Sequence, residues 1–147
     1  WRLHVFRTAR GPPCGRGDGV MNRVRIAGVA LALLSGLAMA EMPAGDAGRG
    51  RVVFGSCRTC HWPEQGAGHQ NGPSLWNIFG RKAGTQEGFA HYSQALRDSG
   101  LVWTPEYLDA WLANPTTFMP GTTMMTPGVP DPQRRADLIA YLQRFRE

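Results

Sequence analysis

The sequence predicts an all-α protein made of several short helices joined by long loops. Helix start signals recur, as at Thr104-Pro105 and Asp131-Pro132, where a capping side chain precedes a proline at the first helical position. The 147 residues include 19 Gly and 11 Pro, which favour loops between the helices. No segment alternates apolar and polar residues as a half-buried strand does. We therefore expect one small helical domain.

The first half of this domain carries one clear helix. Asp46 is a suitable N-cap for a helix that runs through residues 49–54 toward Cys57 and turns Phe54 to the core. The apolar stretch from Ser74 to Phe79 predicts a further helical turn or two between Gly- and Pro-rich loops.

Three helices are expected in the second half. Residues 93–99 predict a short helix that ends at Gly100. The helix that opens at Thr104-Pro105 stops at Asn114-Pro115, because a residue before proline disfavours helical geometry. Its apolar residues are Tyr107, Leu108, Trp111 and Leu112. The last helix, after Asp131-Pro132, carries an i, i+3, i+4, i+7 stripe of Leu138, Tyr141, Leu142 and Phe145.

Residues 21–40 have the pattern of a Sec-type signal peptide. Arg23 and Arg25 precede an apolar run, and Ala38-Met39-Ala40 is a small-x-small cleavage site. An uncleaved membrane anchor is the alternative, although the apolar run is shorter than the roughly 20 residues that a span needs. Cleavage predicts a periplasmic domain of residues 41–147 without stable membrane insertion.

Residues 1–20 precede this complete signal peptide, start with Trp and show no periodicity. We interpret them as translation upstream of the true start, which would remove Cys14 from the working protein. The alternative is a disordered N-terminal tail.

The net charge of +5 belongs to the leader rather than to the domain. From Glu41 onward the chain has ten Lys and Arg and ten Asp and Glu, so the mature protein is close to neutral. A nucleic-acid partner would need a basic surface. We therefore expect no nucleic-acid binding.

The motif Cys57-Arg58-Thr59-Cys60-His61 is the most informative part of the sequence. A disulfide across two intervening residues would remove little chain entropy, and a thioredoxin-like redox pair needs a strand-rich setting that is missing here. Zinc binding would need a further ligand pair at finger spacing. Cys-x-x-Cys-His is the attachment sequence of c-type haem: two cysteines form thioethers, and the histidine places an imidazole under the iron. The sequence therefore predicts one covalent haem.

A second iron ligand is expected on the far side of the haem. The candidates are His69, His91, Met119, Met124 and Met125. The segment FMPGTTMMTPGVP is rich in Pro and Gly and can hold a methionine stiffly against iron. On this ground Met124 or Met125 is favoured over a histidine.

From Gly45 to the C-terminus the chain resembles the class I cytochromes c, the mitochondrial type and its bacterial relatives. The matching motifs, in order, are CRTCH, GPSLWNIFGRKAG, GF with Tyr92 and Ser93, LVW, WLANP, PGTTM and DLIAYL. The motif CxxCH alone occurs in unrelated haem proteins, whereas the ordered series is specific. The resemblance implies the class I fold, with short helices and long loops around one covalently bound haem.

The resemblance also assigns roles to single residues. Cys57 and Cys60 match the thioether cysteines, His61 the proximal ligand, and Met124 the methionine ligand at the end of PGTTM. Pro73 matches the proline whose carbonyl accepts the proton of the proximal imidazole, a bond that orients the ring. The residues that match positions around the haem propionates are Arg81, Tyr92 and Trp103.

Further matches concern packing rather than the haem. Gly50 matches a position where the first and last helices approach closely, together with Phe54, Leu138 and Tyr141. His69 matches a histidine that braces loops.

Two departures from the family pattern affect the haem surroundings. Trp111 occupies the position of a tyrosine beside the methionine ligand. The lysines that surround the haem edge in mitochondrial members are largely absent, and the residues at those positions are Thr116, Thr117, Thr123, Gly68 and Gln70.

The function implied is one-electron transfer in a respiratory chain, not enzymatic catalysis. His/Met ligation fills the iron coordination and raises its reduction potential. We expect a monomeric periplasmic carrier between membrane redox complexes, such as a quinol-oxidising cytochrome bc complex and a terminal oxidase. One alternative is a haem subunit docked on a larger oxidoreductase. A catalytic or gas-sensing haem protein would need Met124 to be absent or labile.

Overall fold

The computed structural model describes residues 42–147, and within that range it shows five helices and no strand. The helices are α1 (Ala47–Phe54), α2 (Gln94–Asp98), α3 (Pro105–Ala113), α4 (Pro115–Phe118) and α5 (Pro132–Leu142). An isolated antiparallel bridge joins Lys82 and Val102. The predicted all-α class is confirmed. The predicted signal peptide and residues 1–20 lie outside the described residues.

A polar side chain caps the N-terminus of every one of these five helices. The side chains of Asp46, Ser93, Thr104, Asn114 and Asp131 accept hydrogen bonds from backbone N–H groups three residues further on, at 2.7–3.3 Å. Each bond satisfies a donor that the helix itself leaves unpaired. In α3, α4 and α5 a proline follows the cap, where its missing N–H costs nothing.

Helices α1 and α5 pack closely because Gly50 lacks a side chain. A Cβ at Gly50 would overlap the carbonyl group of Asp137 and stand 2.8 Å from the Cβ of Tyr141. The Phe54 and Tyr141 rings meet across the same contact with centroids 5.4 Å apart. The close approach expected at Gly50 is therefore confirmed.

Asp137 lies at the centre of a polar network that joins α5 to the start of α1. Its carboxylate accepts hydrogen bonds from Nε and Nη2 of Arg49, both at 2.7 Å, and from the backbone N–H of Asp46 at 2.7 Å. Gln133 donates to the same carboxylate at 3.0 Å and to the carbonyl of Ala44 at 2.8 Å. The Asp137 side chain is only 3% exposed. This network attaches the segment before α1 to the last helix.

One expectation about helices was wrong, and one helix was not predicted. The stretch from Ser74 to Phe79 forms turns rather than a helix. The Ser74 hydroxyl accepts from the backbone N–H of Trp76 at 3.2 Å, and Asn77 has a positive φ of 53°, which no right-handed helix contains. Helix α4 was not predicted, because Asn114-Pro115 was interpreted only as the end of α3.

The apolar stripes are also narrower than expected. In α3 the buried residues are Leu108, Trp111 and Leu112, whereas Tyr107 is 50% exposed. Helix α5 ends at Leu142, so Phe145 packs from beyond the helix, with its ring 5.0 Å from that of Tyr141. No helix among residues 42–147 is both long enough and apolar enough to cross a membrane.

Candidate haem site

A cavity of about 640 Å³ lies inside the fold and is lined by residues of α1, α2, α3 and α5 and of the loops between them. All eight residues singled out from the sequence line it: Cys57, Cys60, His61, Pro73, Arg81, Tyr92, Trp103 and Met124. Much of the remaining wall is apolar, including Leu96, Leu108, Leu112, Leu138 and Leu142. The volume falls in the range typical of cofactor sites.

The turn that carries both cysteines continues directly from the end of α1. The backbone N–H groups of Cys57 and Arg58 donate to the carbonyl of Phe54 at 2.8 and 3.0 Å. The N–H groups of Cys60 and His61 then donate to the carbonyl of Cys57 at 3.0 and 2.9 Å. This winding presents both thiols and the imidazole to one cavity. The two half-buried thiols form no disulfide in the described part of the chain.

The His61 ring is oriented by the loop that follows it. Nδ1 lies 2.8 Å from the carbonyl oxygen of Pro73, and because a carbonyl only accepts, Nδ1 carries the proton. Nε2 is therefore left with a lone pair. Burial lowers the pKa of the imidazole, while the Pro73 bond acts in the opposite direction. The ring is thus neutral, and the lone pair of Nε2 can bind a metal ion.

Gly72 lets the backbone of this loop lie against the imidazole. A Cβ at Gly72 would overlap the His61 ring. The N–H of Gly72 donates to the carbonyl of Cys60 at 2.8 Å, which holds the loop beside the cysteine turn. Sequence reasoning did not single out this glycine, because only the folded chain brings it to the ring.

Arg81 brings a positive charge to the cavity wall. Its guanidinium donates to the carbonyl oxygens of Ser74 (3.4 Å) and Trp76 and forms no salt bridge with an acidic residue of segment 42–147. Burial lowers its pKa, and the nearby Tyr92 hydroxyl raises it. For the Tyr92 hydroxyl, burial has the opposite effect and raises the pKa. A half-buried cation without an anionic protein partner fits an anionic group in the cavity.

Two tryptophans form another part of the wall. Trp103 is 8% exposed and Trp111 is 4% exposed, and their rings meet edge to face with centroids 5.5 Å apart. Trp111 also meets Phe118 at 6.2 Å. The backbone of Trp103 is held by hydrogen bonds with Arg81 and Gly80, at 2.9 and 2.8 Å.

The structure separates the five candidates for a second iron ligand. Met124 is half-buried, packs against the core and lines the cavity. Met119 is buried in the core and Met125 is 95% exposed. Both ring nitrogens of His69 are engaged, with Nε2 2.8 Å from the carbonyl of Glu87 and Nδ1 accepting from Ser74 at 3.0 Å. His91 is exposed with its ring against Phe89.

These residues fit a haem in four respects. The thiols of Cys57 and Cys60 lie beside the His61 imidazole, whose Nδ1 is already hydrogen-bonded, and Met124 lines the same cavity. The Arg81 guanidinium can pair with an anionic group, and Gly72 leaves room for the His61 ring. A zinc site finds less support, since residues 42–147 contain no cluster of three or more His, Cys, Asp or Glu side chains suited to a metal ion.

Part of the wall could not be assigned from the sequence. Ile78, Phe89 and Leu96 line the cavity from turns and from the short helix α2. No 3.6-residue period marks them, because each belongs to a segment too short to show one. Arg58, which lies between the two cysteines of the motif, pairs with Glu64 at 2.6 Å and does not line this cavity.

Comparison with known proteins gives many matches. The chain is 46% identical over 105 residues to cytochrome c of Guizotia abyssinica, covering 71% of this chain and 94% of the relative. It is 46% identical over 106 residues to cytochrome c of Chlamydomonas reinhardtii, with the same two coverages. Against cytochrome c of Trypanosoma brucei brucei the identity is 54% over 83 residues, covering 56% of this chain and 88% of the relative. No family model matches the sequence.

A solved structure agrees with these matches. The fold superimposes on cytochrome cH from Methylobacterium extorquens with a TM-score of 0.63 and 42% sequence identity. The match covers 68% of this chain and 99% of that protein.

Proposed function

Since the chain belongs to the class I cytochromes c, which are electron-transfer proteins with one covalent haem c and not enzymes, we propose that it is a periplasmic carrier in which His61 and Met124 would be the two protein ligands of the haem iron. The observation that carries this proposal is the single cavity into which the cysteine turn, the His61 ring and the Met124 loop all face. The haem supplies the one-electron couple when bound.

The cysteine turn and the loop that packs against His61 have different roles in holding the haem. Cys57 and Cys60 form the two thioethers, and His61 binds iron through Nε2. The Pro73 carbonyl keeps the proton on Nδ1 and fixes the ring plane, an arrangement that tunes a metal ligand. Gly72 allows the loop to hold this position.

Met124 is the second ligand. Met124 and Met125 both line the cavity, but only Met124 is half-buried and packed against the core, whereas Met125 is 95% exposed and Met119 is buried away from the cavity. A thioether ligand raises the reduction potential, and two protein ligands leave no open iron position. This favours electron transfer over a catalytic or gas-sensing role.

Arg81, Tyr92 and Trp103 hold the haem propionates. Arg81 contributes the positive charge that lacks an acidic protein partner among residues 42–147, and Tyr92 and Trp103 contribute O–H and N–H donors in the same wall. A buried charge needs a partner, and Arg81 would supply one for the propionates. The propionates can therefore stay inside the fold.

The proposed location rests on the signal-peptide pattern of residues 21–40. A carrier released there would take electrons from a quinol-oxidising cytochrome bc complex and pass them to a terminal oxidase or similar acceptor. A haem subunit docked on a larger oxidoreductase is the second candidate. Native mass of the purified protein separates them, since a carrier runs as a monomer.

The test combines mass and redox titration. The intact mass should exceed that of the polypeptide starting at Glu41 by one haem, and acid–acetone should not extract the haem. The visible spectrum should titrate as a single one-electron step. The double variant Cys57→Ala/Cys60→Ala should be largely unfolded, because the fold loses the apolar group at its centre. Extractable haem, or a spectrum without a one-electron step, would contradict the proposal.

A further inference from the structure

A second cleft, of about 520 Å³, opens beside the C-terminal half of α1. We call it the α1 cleft, and the residues of its lining that matter here are Arg51, Val52, Phe54, Arg58, Glu64 and Tyr141. Among the described residues, Phe54 is the one that lines both this cleft and the haem cavity. The volume of the α1 cleft suits a small molecule, and none of the haem-binding roles proposed above uses it.

The floor of the α1 cleft is apolar and firmly packed. Phe54 is 2% exposed and Tyr141 is 7% exposed, and their ring centroids lie 5.4 Å apart. The Tyr141 ring also contacts that of Phe145, at 5.0 Å. Val52 lines the same cleft with an apolar side chain that is 77% exposed. An apolar group entering the cleft therefore finds a surface that is already formed.

Arg51 brings a positive charge to this apolar surface. Its side chain is exposed and forms no salt bridge with any acidic residue in the range 42–147. A guanidinium presents its N–H groups as a rigid fork that matches the two oxygens of a carboxylate. Arg51 can therefore bind an anion without giving up a protein partner.

Arg58 supplies a second guanidinium to the cleft. Its Nη1 lies 2.6 Å from Oε1 of Glu64, and the two side chains are 50% and 40% exposed. The hydrogen bond to Glu64 is the main cause that raises the pKa of Arg58, and the nearby Tyr141 hydroxyl adds to it. An ion pair this exposed contributes little to stability, so Arg58 can turn from Glu64 to a ligand at small cost.

We propose that the α1 cleft binds a small organic anion, a single carboxylate on an apolar body. The guanidiniums of Arg51 and Arg58 bind the carboxylate, and the Tyr141 hydroxyl adds a donor. The apolar body covers Phe54 and Val52. This site goes beyond the proposed electron transfer, because it uses neither the cysteines nor the two proposed iron ligands.

The charge of the cleft favours an anion with one negative charge. Two arginines and one glutamate line it, so a single positive charge is left to be neutralised. A phosphate with nearly two negative charges would exceed this charge and face the Glu64 carboxylate as well. It would also leave Phe54 and Val52 uncovered, whereas an apolar body gains from contact with them.

The experiment is an NMR titration of the reduced holoprotein with benzoate at constant ionic strength. The ring resonances of Phe54 and Tyr141 should shift and saturate with a Kd of about 1 mM, a usual strength for a ligand of roughly nine non-hydrogen atoms. Benzyl alcohol keeps the ring without the charge, and inorganic phosphate keeps charge without the ring. Each should bind at least about fivefold more weakly than benzoate, because each loses one part of the contact.

Three variants assign the binding to the cleft. Arg51→Gln should weaken benzoate binding at least about fivefold, because a charge-assisted bond is lost. Arg134→Gln is the matched control: Arg134 is exposed on α5 and does not line the cleft, so this variant should bind as the wild type does. Glu64→Gln should strengthen binding by roughly threefold, because Arg58 is released and the cleft loses its negative charge.

The strengthening by Glu64→Gln is the sharpest outcome, since general damage to the fold could only weaken binding. Unsaturable shifts with benzoate would overturn the inference, and so would equal weakening by Arg51→Gln and Arg134→Gln. Phosphate binding as tightly as benzoate would show an ion site without an apolar part. None of these readouts involves transfer of an electron, so their failure leaves the proposed function untouched.

Discussion

At Gly72 the chain has space for a hydrogen atom and for nothing larger. The His61 ring fills the volume that a Cβ would need, and both the ring and the loop are held by hydrogen bonds, from Nδ1 to Pro73 and from the Gly72 N–H to Cys60. A side chain at residue 72 must therefore move either the imidazole or the loop. Each movement disturbs the bond that orients the ring.

Gly72→Ala tests this contact. Overpacking a filled site typically costs about 1–3 kcal/mol, and we expect the free energy of unfolding of the holoprotein to fall by that amount. The visible spectrum and the potential should change as well, because the imidazole no longer keeps its orientation. Denaturant unfolding and redox titration measure the two effects. Wild-type stability together with an unchanged potential would show that the ring and loop are not in contact.

At the residue scale the motif itself predicted only the two cysteines and the histidine, and the residues around them were predicted through the family resemblance or not at all. Cys57, Cys60 and His61 follow from one motif, because the spacing reflects the attachment itself. The roles of Met124, Pro73, Arg81, Tyr92 and Trp103 come from the family resemblance, and they stay predictions. Gly72 opens the matching motif GPSLWNIFGRKAG, but no role was assigned to it, since its importance depends on a ring eleven residues away in the chain.

At the scale of helices, the crossing of α1 and α5 depends on Gly50. A Cβ there would overlap the backbone of Asp137, which cannot move without shifting α5. Gly50→Ala should therefore lower the free energy of unfolding by at least about 2 kcal/mol, at the upper part of the range for overpacking. Denaturant titration of the holoprotein measures the change.

Gly48→Ala is the matched control in the same helix. Gly48 is exposed, and the nearest atom that its Cβ would meet is Oδ1 of Asp46 at 3.1 Å. Alanine is a better helix former than glycine by roughly 0.5–1 kcal/mol, which offsets a small shift of the Asp46 side chain, so this variant should lose far less stability than Gly50→Ala. Equal losses in the two variants would mean that α1 tolerates no substitution and that the crossing is not the cause.

Helix starts were predicted from the sequence where a capping residue marks the N-terminus. Asp46, Ser93, Thr104 and Asp131 each begin a helix as expected. The errors lie in the shortest elements. Helix α4 has one turn, too short for a periodic pattern. In the stretch from Ser74 to Phe79, the apolar Leu75 and Ile78 line the cavity without forming a helix.

At the scale of the whole molecule, the Asp137 network joins the two ends of the domain. Hydrogen bonds from Arg49 are the main cause that holds the pKa of the Asp137 carboxyl well below its ordinary value. A depressed pKa contributes stability above the pKa of the unfolded chain, about 3.9 for Asp. That contribution is lost as the pH falls below this value, because protons then bind the unfolded chain more readily.

The holoprotein should therefore lose stability as the pH falls below about 4. Asp137→Asn should be less stable at neutral pH, because an amide cannot replace a carboxylate that accepts from Arg49 and Asp46, and its stability should depend less on pH in the acid range. Asp98→Asn, an exposed residue that accepts from Gln94, is the control and should follow the wild type. Parallel acid profiles of Asp137→Asn and wild type would contradict the assignment.

The most direct test of the account is the visible spectrum of two neighbouring methionine variants in the oxidised state. An iron–sulfur bond gives a weak red band, so Met124→Ala should lose this band and lower the reduction potential. Met125→Ala should keep the band, because that side chain is exposed to solvent. Loss of the band in Met125→Ala together with its retention in Met124→Ala would contradict Met124 as the ligand.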